Sequence, residues 1–301
     1  MSDPFVSEPV LRASISELSM MRWDLATELE VLSALGFGGV SLWRTKLSDV
    51  GVAEARKLLR RSGIRVSSLQ WAGGFTGSDG RTFRESVDDA WEAIRAAAAL
   101  GCGVLVVHPG CRGGHTLGHA HRLLCEAMEV LAPAALDRGV RLAIQPFHPG
   151  SAPGCGFLTR VSSALEWVDR FDHPGVGLAL DLWQFAGEPG LEGLVPDLVP
   201  RLAVVKVADR EGPPSTDRER LLPGAGSLPL DALLSALVGQ GYRGWCEFEV
   251  VGEAVEVVGY REALGAVRRT ADTWGRRFTE EAPAVRPTTR GRVRIDASLP
   301  G

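Results

Sequence analysis

Short apolar runs alternate along this chain with longer amphipathic stretches. The runs near 10–15, 38–43, 64–69, 103–108, 140–145, 175–181, 202–207 and 244–250 have strand character. Between them, stretches near 23–36, 52–62, 82–100, 117–138, 161–171, 191–198, 229–240 and 257–275 repeat their apolar residues at helical spacing. Strand–helix alternation predicts βαβ units and a parallel sheet, an α/β fold. Eight such units predict closure into a single (β/α)8 barrel over residues 1–276. Gly36, Gly63, Gly101, Gly139 and Gly241 fall where helices should end, as left-handed caps. Beyond 276 periodicity fades and Arg, Pro, Thr and Ser accumulate, which predicts a flexible C-terminal extension over 277–301.

Four of the apolar runs close on a polar residue: RLAIQ on Gln145, GVGLALD on Asp181, LAVVK on Lys206 and GWCEFE on Glu249. Side chains alternate across a strand. Leu142 and Ile144 should face the helices, which turns Gln145 inward. Cys246, Phe248 and Val250 should face outward, which turns Glu247 and Glu249 inward. In a parallel barrel these residues converge at the C-terminal mouth, where such barrels do chemistry. Buried carboxylates need a counter-charge. A bound metal or the Lys206 ammonium would supply it, and an ion-pair cluster without chemistry is the plain alternative.

Further residues fall near the same mouth. His108 ends VVHPG, and His148 follows Gln145 by three positions. Trp43, Trp71 and Trp183 would wall a pocket, although tryptophans often only pack. Gln184 follows Asp181 by three positions, and Arg220 precedes LLPGAG. These residues and Glu247 are candidate substrate contacts. His115 and His119 are four apart, a helical spacing for metal, but no third ligand accompanies them.

Composition narrows the partners. Net charge is −4, and no basic stripe runs along the chain, which argues against nucleic acid. No apolar run approaches the roughly 20 residues of a membrane span, and the start lacks a secretory pattern. Five scattered cysteines fit reduced thiols and a cytoplasmic location. The expected partner is a small-molecule substrate, with a homo-oligomer left open.

The segments GFGGVSLWR (36–44), VVHPG (106–110), GVRLAIQPFHP (139–149), VGLALDLWQF (176–185), VVKVADR (204–210), ERLLPGAG (219–226) and GYRGWCEFE (241–249) carry a resemblance. In their order the chain resembles the sugar phosphate isomerase/epimerase family of xylose isomerase-like TIM barrels, over roughly residues 10–275. That group includes inosose dehydratases, ketose 3-epimerases and hydroxypyruvate isomerases. The resemblance implies a divalent-metal site of Glu, Asp, His and Glu. Here Gln145 stands for the first Glu and Lys206 for the His. Asp181 and Glu249 match, with Glu247 the alternative for the last position. Gln184 stands where a His follows the Asp, and Asp209 completes the pattern after Lys206.

A lysine among carboxylates should stay protonated and repel a metal. The expectation is therefore an isomerase or epimerase without a metal cofactor. Glu249 or Asp181 would move a proton at carbon, while Lys206 and Gln145 would stabilise the neighbouring oxygen. Three alternatives remain. One is an ordinary Mn, Co, Mg or Zn enzyme using Gln145, Asp181 and Glu249. The others are a recruited biosynthetic lyase or cyclase, and a barrel that binds a small molecule without turning it over.

Overall fold

The computed structural model describes residues 10–281. Eight parallel strands close into a barrel in chain order: β1 (Arg12–Ser16), β2 (Gly39–Trp43), β3 (Arg65–Gly73), β4 (Val104–His108), β5 (Arg141–Ile144), β6 (Val176–Asp181), β7 (Leu202–Val207) and β8 (Trp245–Phe248). β8 returns to β1, with Arg12 opposite Trp245 and Ile15 opposite Phe248. Closure leaves no strand edge unpaired.

Helices α1 (Leu25–Ala34), α3 (Val52–Ser62), α4 (Phe83–Leu100), α5 (Leu117–Leu136), α6 (Val161–Phe171), α8 (Leu191–Leu198), α9 (Leu230–Gly239) and α11 (Tyr260–Glu281) form the outer layer. Local sequence sets their ends. Thr82 accepts from the Glu85 N–H while Glu85 accepts from the Thr82 N–H, a reciprocal cap at the start of α4. Gly101 closes that helix at φ 69°.

Three short helices were not foreseen: α2 (Arg44–Val50), α7 (Leu182–Phe185) and α10 (Glu253–Val258). They follow β2, β6 and β8 on the mouth side of the barrel. The expected helix at 257–275 is split at Gly259, and its second part, α11, reaches Glu281. The helix thus passes the boundary drawn at 276. Phe278 is 1% exposed, so an apolar face keeps the chain helical where composition had implied a tail. Residues 282–301 of that tail lie outside the described residues.

Strand alternation builds two cores. Val106, Ala143, Ala179, Val204 and Trp245 fill the barrel interior. Leu69, Leu105, Leu142 and Leu180 face the helices in the larger outer core. Each such leucine contributes about 1.5–3 kcal/mol by burial. Among the described residues, no helix is long and apolar enough to cross a membrane.

Candidate active site

Parallel register brings the polar strand ends together. Asp181 on β6 pairs with Lys206 on β7, and Lys206 pairs with Glu247 on β8. Gln145 and Glu249 lie just past their strands, yet their N–H groups still bond strand carbonyls, at Val107 and Val207. Gln145, Asp181, Lys206 and Glu249 are all buried.

Two cations compensate two acids here. Lys206 Nζ lies 2.9 Å from Glu249 Oε2 and donates to Gln70 Oε1 at 2.9 Å. Arg220 spans the same acids. Its Nη2 lies 2.7 Å from Asp181 Oδ2, and its Nε lies 3.2 Å from Glu249 Oε1. The guanidinium also sits 4.5 Å above the Trp183 ring. Burial alone would raise the Glu249 pKa, but Lys206 and Arg220 overcome it and bring the group down to about 2. Glu247 goes the other way: burial raises it, against hydrogen bonds from Ser67 and Ser68.

These groups front a cavity of about 420 Å³ at the barrel mouth. Gln145, Lys206, Glu249, His108, Trp71, Trp183, Gln184 and Arg220 line it. His108 stacks on Trp71 at 4.7 Å and meets Phe147 edge-on at 4.6 Å. Burial, then the charge of Lys206, lowers its pKa to about 3, so the ring is neutral near pH 7.

Four expected residues sit elsewhere. Asp181 is sealed behind Arg220 and accepts from the Trp183 N–H and Gln184 Nε2 as well. With its oxygens so occupied, it is not placed as a base. Glu247 lies below the cavity, bonded to Ser67 Oγ at 2.6 Å. Trp43 does not line the cavity; its N–H donates to Glu17. The His148 ring leans on Phe185, and its Nδ1 accepts from the Gly150 N–H, which turns it away from the cavity wall.

Sequence reasoning missed Gln70, Phe147 and Arg81, all in the wall. Gln70 had a readable signal. β3 runs to Gly73, four residues beyond its expected end at 69, and Gln70 is in phase with Ser68. Gly73 itself is required: a Cβ there would sit 1.9 Å from the His108 carbonyl oxygen.

Arg220 arrives on the loop after β7, and Asp209 braces that loop. Its carboxylate accepts from the N–H groups of Arg210, Gly224 and Leu228. Arg220 then pairs through its backbone with Val251, at 2.8 and 2.9 Å. The Trp183 indole donates to the Glu219 carbonyl at 2.9 Å and completes the brace.

A divalent metal in this barrel would draw on Gln145, Asp181 and Glu249. As arranged here the three do not fit one. Both carboxylates are already neutralised by Arg220 and Lys206, and the remaining donor is an uncharged amide. Among the described residues, no group of three His, Cys, Asp or Glu side chains is placed to hold a metal ion.

Comparisons with known proteins agree with this architecture. The chain is 28% identical to a putative hydroxypyruvate isomerase of Streptomyces coelicolor, over 75% of this chain and 87% of that protein. It is 24% identical to an inosose isomerase of Halalkalibacterium halodurans, over 78% of this chain and 84% of that protein. Among solved structures, an IolI protein with a bound zinc atom superposes with a TM-score of 0.77 at 18% identity, covering 89% of this chain and 99% of that one. A family model described as xylose isomerase-like TIM barrel matches residues 29–270, and the chain belongs to that family.

Proposed function

We propose that this chain is an enzyme of the isomerase/epimerase type that moves a proton at the carbon beside a carbonyl of a small keto-polyol, without a metal. The observation that carries the reading is the Lys206–Glu249–Arg220 chain in the wall of the mouth cavity. The relatives named as hydroxypyruvate isomerase and inosose isomerase support the reaction class.

The chemistry follows from charge conservation. At rest Glu249 is a weak base, because two cations hold it as carboxylate. A substrate carbonyl oxygen entering the cavity draws Lys206 and Arg220 toward itself. Glu249 then takes the proton from carbon, the C–H electron pair forms the enolate C=C, and the negative charge moves to the oxygen. Net charge in the site does not change, and the same two cations stabilise the charge before and after transfer. Return of the proton to the other face gives an epimer; return to the former carbonyl carbon, with the neighbouring hydroxyl passing its proton to the enolate oxygen, gives an isomer. Neutral His108 lines the same cavity as a candidate hydrogen-bond partner for the substrate. No step is assigned to Asp181.

The test is deuterium exchange from solvent into hydroxypyruvate, ketohexoses and inososes, followed by NMR with chelator present. Wild type should exchange at one carbon, and Glu249→Gln should lose about 10²–10⁴ of the rate. Exchange restored only by a stoichiometric divalent ion would return the chain to metal chemistry. Equal behaviour of wild type, Glu249→Gln and Lys206→Met would instead assign a binding role or another site.

A further inference from the structure

Gln145 is 2% exposed and lines the mouth cavity; its Oε1 makes no hydrogen bond of normal geometry and has only a loose contact with the neutral His108 ring. A buried carbonyl left unpaired is destabilising. Other polar side chains around it are engaged. Gln70 uses its oxygen on Lys206 and its nitrogen on Ser41. Gln184 uses its oxygen on the His148 N–H and its nitrogen on Asp181. Glu249 Oε2 in the same wall is also without a hydrogen bond but is paired by charge with Lys206, so Gln145 Oε1 is the uncharged acceptor left over there.

We propose that Gln145 is a specificity-determining residue: its Oε1 is reserved for a hydroxyl of the substrate. The proposal rests on the proton-transfer reading above, which it deepens. Lys206 and Arg220 present N–H donors on one side of the cavity, and Gln145 presents an acceptor on another. The ligand that satisfies both carries a carbonyl oxygen for the cations and a hydroxyl donor for the amide. A carbon bearing only hydrogen there leaves the orphan atom unpaired. This reverses the role expected from the sequence, in which Gln145 helps stabilise the substrate oxygen.

Two measurements test it. The first needs no ligand. Gln145→Met keeps length and removes the polar atom. Its thermal midpoint should equal or exceed that of wild type, because no bond within the protein is lost. A midpoint several degrees lower would show a structural amide and overturn the proposal. The second uses the ketohexose or inosose that wild type binds most tightly, compared by calorimetry with its monodeoxy analogues. One analogue should bind at least about tenfold more weakly to wild type, and Gln145→Met should bind that pair equally. Discrimination that persists in Gln145→Met overturns the proposal. Should deuterium exchange fail in wild type while the hydroxyl preference holds, the reaction falls and the specificity assignment stands.

Discussion

Two buried acid clusters in this barrel differ in their cations. At the mouth, Asp181 and Glu249 face Lys206 and Arg220, two acids for two cations. At the end of β1, Glu17 and Glu28 face Lys46 alone. Both clusters are out of water, with Glu28 at 0% and Glu249 at 3% exposure. Their carboxyls are nevertheless driven in opposite directions. Glu249 falls to about 2, whereas burial and then the charge of Glu17 push Glu28 up, against the pull of Lys46. Burial therefore does not by itself decide the protonation of a carboxylate here. The number of cations that share its cavity does. A mouth cluster kept fully ionic can exchange charge with a ligand; a cluster short of one cation holds a proton instead.

The largest effect should come from breaking the balance at the mouth. Lys206→Met should cost about 3–5 kcal/mol in urea unfolding at pH 7, since it strands a buried carboxylate. The double variant Lys206→Met with Glu249→Gln should recover most of that loss, because the charge is then gone from both partners. Equal instability of single and double variants would show that the pair is not coupled.

Acid should have the next largest effect. The folded pKa of Glu249 lies below its unfolded value of about 4.3, so its contribution is present above that value and is lost as pH falls toward about 2. The loss is on the order of 3 kcal/mol. Unfolding midpoints measured between pH 5 and 2 should show this slope in wild type and lack it in Glu249→Gln.

Lys46→Met should cost less than Lys206→Met, about 1–2 kcal/mol at pH 7. Glu17 and Glu28 can take up protons in place of the lost cation, an escape not open to Glu249 at rest. Urea unfolding of the two lysine variants side by side tests the ranking, and a larger loss at Lys46 would reverse the comparison.

The smallest effect is an alkaline slope. Glu17 and Glu28 have folded pKa values above their unfolded ones, so their contribution is fully present below about pH 4.3 and shrinks as pH rises and the folded pair ionises. Glu28→Gln should flatten that slope in a pH series of thermal midpoints.

The sequence made some of this site readable and hid the rest for definite reasons. Gln145, Lys206 and Glu249 could be placed because a strand has period 2 and each residue closes an apolar run. Asp181 was placed at the mouth by the same logic, but its sealing behind Arg220 depends on a loop partner 39 residues away. Arg220 was read only as a substrate contact. Its reach to two acids is a property of a long side chain on a braced loop, which no periodicity encodes. Gln70 was missed because the β3 run was ended at 69, just before it and four residues short of the strand's end at Gly73. Trp43 and His148 have the right position along the chain but do not line the cavity; the His148 ring is held by the Gly150 N–H. The barrel was legible throughout because alternation needs no partner information. The short helices after β2, β6 and β8 were not, being too brief for a helical period to show.

The brace that Asp209 gives the loop after β7 separates two things that proteins often tie together. One cation of the mouth rides on a loop held by the Asp209 carboxylate, by backbone pairing with Val251 and by the Trp183 indole, and not on a barrel strand. Insertions or exchanges between 210 and 228 can therefore retune proton affinity at the mouth while leaving the scaffold that holds Lys206 intact. Evolution or an engineer could change what this barrel does by rewriting a loop and leaving every strand alone.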